Sequence, residues 1–456
     1  MSAVIGSPLH APVAPARLAL LPGAPERAVA FDGTGAVAAA AFAAHVRALA
    51  ERLPNARGVV NLCEDRYRFL VAFCAAAVRG QVTLLPPSRA PQAIDEVLAQ
   101  HPGSYCLGDQ ALAPEPPHYL RLPDPLPMRD GAALEVDPDA LAAIGFTSGS
   151  TGQPKANPKR WGSFARSTAQ NVAALADLLH PGAITPVVAT VPPQHMYGME
   201  MSVLLPVLAP VAVHAARPFF PDDVARALRE AWRPALLVTT PVHLRALVAA
   251  AIALPPLAGI VSATAPLSPE LAAEAEARFG CEVREMYGAT ETCILAARRT
   301  ARESAWTPLP GVRLAPQPDG TAVQAPHLAE PVALADLVEL LPDGRFELRG
   351  RNADLLEIAG KRASLGDLTR RLLAIPGVED GVVFQSDAGH AGVSRIVALV
   401  VAPSLGEADI LAALRRAIDP VFLPRPLRRV DALPRNETGK LPRAALDALL
   451  RRESGS

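Results

Sequence analysis

A chain of 456 residues is longer than one ordinary core organises, so two or more domains are expected. Half of the residues are hydrophobic and the formal net charge is −1, which excludes the basic footprint of a nucleic-acid binder and a basic membrane-binding arm. The five cysteines (Cys63, Cys74, Cys106, Cys281 and Cys293) are scattered, odd in number and without zinc spacing, which predicts reduced thiols in a cytoplasmic protein. The N-terminal stretch MSAVIGSPLHAPVAPARLALLPG lacks a charged start and a continuous apolar run, so no signal peptide is expected. Residues 112–130, LAPEPPHYLRLPDPLPMRD, are proline-rich and predict an extended surface connection. Beyond them LAAIGF (141–146), TPVVATV (185–191), PALLVTT (234–240) and GIVSATA (259–265) read as buried strands. The uncharged stretch from Ala246 to Leu267 is long enough in principle to cross a bilayer. Pro255-Pro256 and Gly259 break it, so a buried helix, a turn and a buried strand are expected instead. Residues 267–280 predict a helix, with Ser268 as N-cap, Pro269 at the first position and Gly280 as the stop. Strand and helix alternating at this rhythm predict an α/β fold whose mainly parallel sheets are covered by helices. The last hundred residues differ: strands at 378–385 and 394–403 and helices at Glu407–Ile418 and Pro442–Arg452 predict a small α+β unit, bounded near FELRGRNADLL (346–356).

GFTSGSTGQPKANPKRWG (145–162) packs four hydroxyl side chains, four glycines and two lysines together, yet only four of the 44 basic residues of the chain are lysine: Lys155, Lys159, Lys361 and Lys440. Glycines let backbone N–H groups line a concavity, hydroxyls add donors and lysine adds a compact, mobile charge; the combination suits phosphate oxygens. The spacing is not that of a Walker A loop, because Gly149 and Gly152 stand three apart and Lys155 follows three later. By composition alone a Gly/Ser loop without a ligand is an equal reading. The buried strand before it favours ligand binding, since loops at strand ends are where α/β sheets hold ligands. A lysine kept in an arginine-rich chain marks a site that a planar guanidinium does not serve, with chance retention open for Lys159 and Lys361.

FTSGSTGQPK, MYGATE (286–291), GRNADLLEIAGKR (350–362) and LPRNETGK (433–440) occur in the order seen in the acyl-adenylate-forming superfamily, which the chain resembles from about Pro22 to Arg452. That superfamily includes acyl-CoA synthetases, aryl-CoA ligases and the adenylation domains of peptide synthetases. The surround SGSTGQP…NPKRW is similar to ligases that load aromatic acids in aryl polyene pigment pathways. The resemblance implies ATP-dependent activation of a small carboxylic acid to an acyl-adenylate. Transfer to the phosphopantetheine thiol of coenzyme A or of an acyl carrier protein would follow. It implies a large domain over residues 1–350, a hinge at 351–353 and a small mobile domain over 354–456. Thr147, Ser148, Gly149, Ser150, Thr151, Gly152 and Lys155 would hold the β- and γ-phosphates. Thr290 would contact the α-phosphate and Glu291 would hold Mg²⁺. Tyr287 and Gly288 on one side, and Ala263, Thr264 and Ala265 on the other, would enclose adenine. Asp336 and Arg351 would bind ribose. Lys440 would be the catalytic lysine, His195 would gate or orient the acid, and Met196, Tyr197, Met199 and Ala289 are weaker candidates for the acid pocket. Gly360, beside Ile358 and Ala359, would line the thiol tunnel.

Three features depart from the family pattern. Leu334-Ala335 replaces the usual Thr-Gly before the ribose aspartate, the segment from Pro310 to Asp336 is short, and Ala353 stands where a charged hinge residue is usual. An aromatic acid such as a hydroxybenzoate is the substrate favoured by the resemblance. A fatty acyl-CoA or acyl-carrier-protein synthetase, and a non-catalytic nucleotide-binding relative, are the alternatives. An NTP hydrolase is disfavoured by the absence of a Walker A lysine.

Overall fold

A computed structural model describes residues 17–148, 154–250, 252–318, 320–351, 355–358, 361–386, 395–436 and 439–454. The chain forms two compact units: Met1–Val172 with Gly182–Ile184 and Met199–Arg217, and Ala173–Pro181 with Thr185–Gly198 and Pro218–Ser456. The fold is α/β, with a large N-terminal part of mostly parallel sheet and a smaller C-terminal part.

In the first unit a six-stranded sheet runs in the order Pro154–Arg160, Leu141–Ser148, Val82–Leu85, Gly58–Asn61, Tyr105–Gly108, Tyr119–Arg121. All neighbours are parallel except the first pair, an antiparallel hairpin. Val60, Leu84, Cys106, Ile144 and Phe146 form its core with Ile94 and Val97 of the helix Pro91–Gln100. Two strands here depart from the sequence reading. Tyr119–Arg121, inside the expected surface connection, adds an edge strand beside Tyr105–Gly108. Pro154–Arg160 adds the opposite edge, where prolines are tolerated because the outer N–H positions need no partner.

In the second unit the strands run Thr307–Pro308, Cys293–Arg298, Val283–Ala289, Leu257–Ser262, Ala235–Thr239, Thr185–Ala189. The last four of these are mutually parallel. Thr185–Ala189 and Ala235–Thr239 are buried along their whole length, as strands covered on both faces must be. The four strands expected at 141–265 and the helix Pro269–Phe279 are present. Ser268 Oγ accepts from the Leu271 N–H at 3.2 Å, and Gly280 ends the helix at φ +64°. The uncharged stretch from Ala246 divides into the end of the helix Pro241–Ala249 and the strand Leu257–Ser262. Among the described residues no helix is long and apolar enough to cross a membrane.

The C-terminal part has the expected α+β character. Its sheet runs Asp380–Ser386, Arg395–Val401, Leu427–Arg429. Side chains alternate across it: Val383, Ile396, Ala398 and Val400 pack with Leu368, Leu372, Ile410 and Leu414, whereas Phe384, Val397 and Leu399 pack with Leu433, Leu446 and Leu450. All five cysteines are free thiols. Burial pushes Cys106 and Cys281 up to about 12, so both stay protonated near neutral pH.

Candidate active site

In the first unit, Thr147 and Ser148 end a buried strand at the carboxyl edge of five parallel strands, where open α/β sheets bind ligands. The hairpin returns through Pro154–Arg160, which places Lys155 directly across from Thr147. Residues facing each other in this way share one face of the sheet. Lys155 is exposed. Asn157 is buried and fixes the hairpin stem, donating through Nδ2 to the Gly145 and Lys155 carbonyls at 3.2 and 3.1 Å. Gly149, Ser150, Thr151 and Gly152 lie outside the described residues. Lys159 is buried on the same edge strand, a different environment from that of Lys155.

In the second unit, several predicted segments follow the carboxyl ends of parallel strands of one sheet, with Ala235–Thr239 lying between the first and the second of them. His195 follows Thr185–Ala189, Ala263–Ala265 follows Leu257–Ser262, and Tyr287–Ala289 ends Val283–Ala289. Tyr197 ties the first segment to the second: its Oη donates to the Val261 carbonyl at 2.9 Å, and burial pushes the phenol up so that it remains a donor. Met196, Tyr197 and Met199 are buried, while His195 is half-buried. Gly198 is required by packing, since a Cβ there would stand 1.9 Å from the Pro192 carbonyl oxygen. Thr264 holds φ at +81°, a conformation that a β-branched residue rarely adopts and that concentrates at functional sites.

Tyr287 is half-buried against two rings, Trp306 at 5.5 Å and Phe346 at 5.9 Å between centroids. Trp306 is covered in turn by the Arg298 guanidinium, 4.3 Å above its ring. Arg298 is held by the buried Glu285, with Nε and Nη2 at 2.8 and 2.7 Å from Oε2. Tyr287 therefore stands on a platform of stacked side chains. After Ala289 the chain turns through Thr290 and Glu291 before the strand Cys293–Arg298. The turn is anchored at its base: the Ala289 N–H donates to Thr292 Oγ1 at 3.2 Å, and the buried His327 places Nε2 2.6 Å from the Thr292 carbonyl. Thr290 and Glu291 remain half-exposed at the tip.

Asp336 opens the strand Asp336–Leu340 and pairs in register with Arg351 at the end of Phe346–Arg351. Thr321 Oγ1 donates to the Asp336 carbonyl at 2.6 Å. The same hairpin contributes Phe346 to the Tyr287 platform, so the proposed ribose and adenine residues are carried by packed elements. Leu334, at the place of the usual threonine, is buried at the end of a neighbouring strand.

Lys440 is exposed on a tight loop. Its N–H donates to Asn436 Oδ1 and its carbonyl accepts from the Asn436 N–H, both at 2.9 Å. Gly439 turns the loop at φ +77°. Gly360 and Ala359, like hinge residues 352 and 353, lie outside the described residues. Among the described residues no group of three or more His, Cys, Asp or Glu side chains is placed to cage a metal.

Residues 24–318 match the model of the AMP-binding enzyme, and 370–440 match the AMP-binding enzyme C-terminal domain. The chain belongs to the AMP-binding enzyme family. It is an ATP-dependent, acyl-adenylate-forming ligase of the AMP-forming acid–thiol class. A 4-coumarate–CoA ligase from Rhodobacter capsulatus is 33% identical over 306 residues, which is 66% of this chain and 75% of that protein. The fold is shared with ATP-bound MatB from Rhodopseudomonas palustris, at TM-score 0.79 and 20% identity, covering 94% of this chain and 96% of that one. It is shared also with the o-succinylbenzoate CoA synthetase of Bacillus subtilis, solved with ATP and a magnesium ion, at TM-score 0.78 and 19% identity over 92% of this chain and 96% of that one.

Sequence reasoning missed the residues that support the predicted ones: Trp306, Phe346, Arg298, Glu285 and His327. A signal existed for Trp306, one of three tryptophans in a chain with only 4% aromatic residues. For Thr264, predicted as an adenine neighbour, the sequence carried no signal of its left-handed backbone.

Proposed function

We propose that this ligase activates an aromatic carboxylic acid, such as a hydroxybenzoate or hydroxycinnamate, and passes the acyl group to a phosphopantetheine thiol. The observation that carries the aromatic substrate is the similarity to a 4-coumarate–CoA ligase across two thirds of the chain. Thr147, Ser148, Gly149, Ser150, Thr151, Gly152 and Lys155 hold the β- and γ-phosphates, and Thr290 contacts the α-phosphate. Tyr287 and Gly288 face adenine opposite Ala263–Ala265, and Asp336 and Arg351 take the ribose hydroxyls. Glu291 fits Mg²⁺: a half-exposed carboxylate with no acidic cage among the described residues suits a cation held mainly by substrate phosphates. Bound there, the ion neutralises phosphate charge.

The chain's own contribution is positioning and electrostatics. Half-buried His195 orients the acid at the carboxyl edge of the sheet. Lys440 places its ammonium where carboxylate and α-phosphate meet, and stabilises charge as a carboxylate oxygen bonds to the α-phosphorus and the bond to pyrophosphate breaks; thiol attack on the acyl carbon later releases AMP. A turn of the C-terminal domain, residues 354–456, about 351–353 then withdraws Lys440 and brings Gly360 to the thiol path. Coenzyme A and a carrier protein offer the same arm.

A panel of acids in the pyrophosphate–ATP exchange assay tests this reading. The expected result is exchange with 4-hydroxybenzoate or 4-coumarate exceeding that with octanoate and palmitate by on the order of tenfold or more. Preference for the aliphatic acids would overturn the aromatic assignment. Thioester formation with coenzyme A and with a phosphopantetheinylated carrier protein, compared at equal concentration, identifies the acceptor.

A further inference from the structure

The loop that presents Lys440 is held by a charge cluster that the reaction itself does not use. Arg435 stands five residues before the lysine. It donates through Nε and Nη2 to the two carboxylate oxygens of Asp380, at 2.8 and 2.7 Å, and through Nη1 to the Gly439 carbonyl at 2.7 Å. One guanidinium therefore fixes both a carboxylate at the start of a sheet strand and the residue adjoining Lys440. The pair is substantially shielded, with side chains 20% and 15% exposed. The Asp380 carboxylate is itself fixed, since Oδ1 accepts the Gly381 N–H at 2.8 Å. Bidentate Arg–carboxylate pairing constrains orientation as well as distance. A second cation approaches from the helix Pro241–Ala249: Arg245 Nη1 lies 3.9 Å from Asp380 Oδ1. On that helix Val242 faces the loop, where a Cβ added to Gly439 would stand 3.3 Å from its Cγ2.

We propose that Asp380 and Arg435 are positioning residues for adenylation, holding Lys440 in its presenting geometry, and that Arg245 latches the same carboxylate from the N-terminal part of the chain. The inference rests on Lys440 being the adenylating lysine. Asp380 and Arg435 both belong to the C-terminal part and hold their geometry whichever way it turns. Arg245 belongs to the other side of the hinge, so its contact is lost when the part turns. All three therefore serve the half-reaction in which Lys440 acts. The latch is the weaker element, because Arg245 is 41% exposed and its contact is long.

The test measures pyrophosphate–ATP exchange and, separately, thioester formation from a supplied acyl-adenylate. It uses 4-hydroxybenzoate and 4-coumarate with their adenylates on folded protein. Asp380→Asn and Arg435→Gln should each lower kcat for exchange by on the order of 10- to 100-fold with little change in KM for ATP, because a misplaced group costs rate more than binding. Thioester formation should stay within a few-fold. Arg435→Lys should recover part of the loss, the double variant should be no worse than either single one, and Arg245→Gln should lower exchange by only about threefold in low salt. Equal loss in both half-reactions would make the cluster a structural staple and overturn the proposal. Unchanged exchange in Asp380→Asn and Arg435→Gln, alongside loss in Lys440→Ala, would overturn the proposal and leave the reading of Lys440 standing. Unchanged exchange in Lys440→Ala would sink that reading and the proposal with it. If Asp380→Asn unfolds, Arg435→Lys and Arg245→Gln decide the matter by the same asymmetry.

Discussion

Gly288 shows how one residue can serve two masters. In the sequence it belongs to MYGATE, the segment proposed to face adenine. In the fold, a Cβ at 288 would lie 2.2 Å from the Cys293 carbonyl oxygen and 2.8 Å from Ile294 Cα, across a register shift between the two strands. Gly288→Ala must therefore push the strands apart, at a cost of about 1–3 kcal/mol of the kind seen for overpacking. The same displacement should raise KM for ATP, since Tyr287 and Thr290 flank it. Denaturant midpoints and ATP titrations of exchange check both expectations, and an unchanged midpoint would refute the packing argument. Motif membership was legible from the residues, whereas the reason for glycine was not. That reason lies in a backbone five residues away, which approaches only after the hairpin has formed.

At the scale of elements, legibility followed local signals. The helix Pro269–Phe279 carried cap, first-turn proline and stop in its own sequence, and it forms as read. The strand Pro154–Arg160 carried two prolines and two lysines, and only its place at a sheet edge makes it a strand. How these elements are joined also escaped the sequence. Glu276 at the end of the helix accepts from Arg299 Nε and Nη2, both at 2.8 Å, and from the Val283 N–H at 3.0 Å, so it pins the start of the strand that carries Tyr287. Burial raises its carboxyl, and the Arg299 and Val283 hydrogen bonds more than offset this, leaving it below the usual range. A carboxylate depressed in the folded state stabilises the fold above its unfolded pKa of about 4.3, and that contribution is lost as pH falls through the folded value. Glu276→Gln should cost about 1–2 kcal/mol at neutral pH, and the difference from the parent should shrink below about pH 4. Urea unfolding of both proteins across pH checks this; a pH-independent difference would show that the ion pair is not the cause.

At the scale of the whole molecule, the order of four short motifs sufficed to identify the family. The acid was not legible in the same way. The candidates for its pocket include Tyr197 and Met199, and the surroundings of a side chain such as Tyr197 are set by contacts distant in sequence. The central claim is that adenylation requires Lys440 on the C-terminal loop and an acid at the carboxyl edge of the sheet. Acid-dependent exchange of labelled pyrophosphate into ATP, measured for the parent and for folded Lys440→Ala side by side, tests it most directly. The account predicts exchange that requires both 4-hydroxybenzoate or 4-coumarate and magnesium, and that falls by on the order of 10²- to 10³-fold in the variant. Exchange without added acid, or exchange that survives in Lys440→Ala, would contradict it.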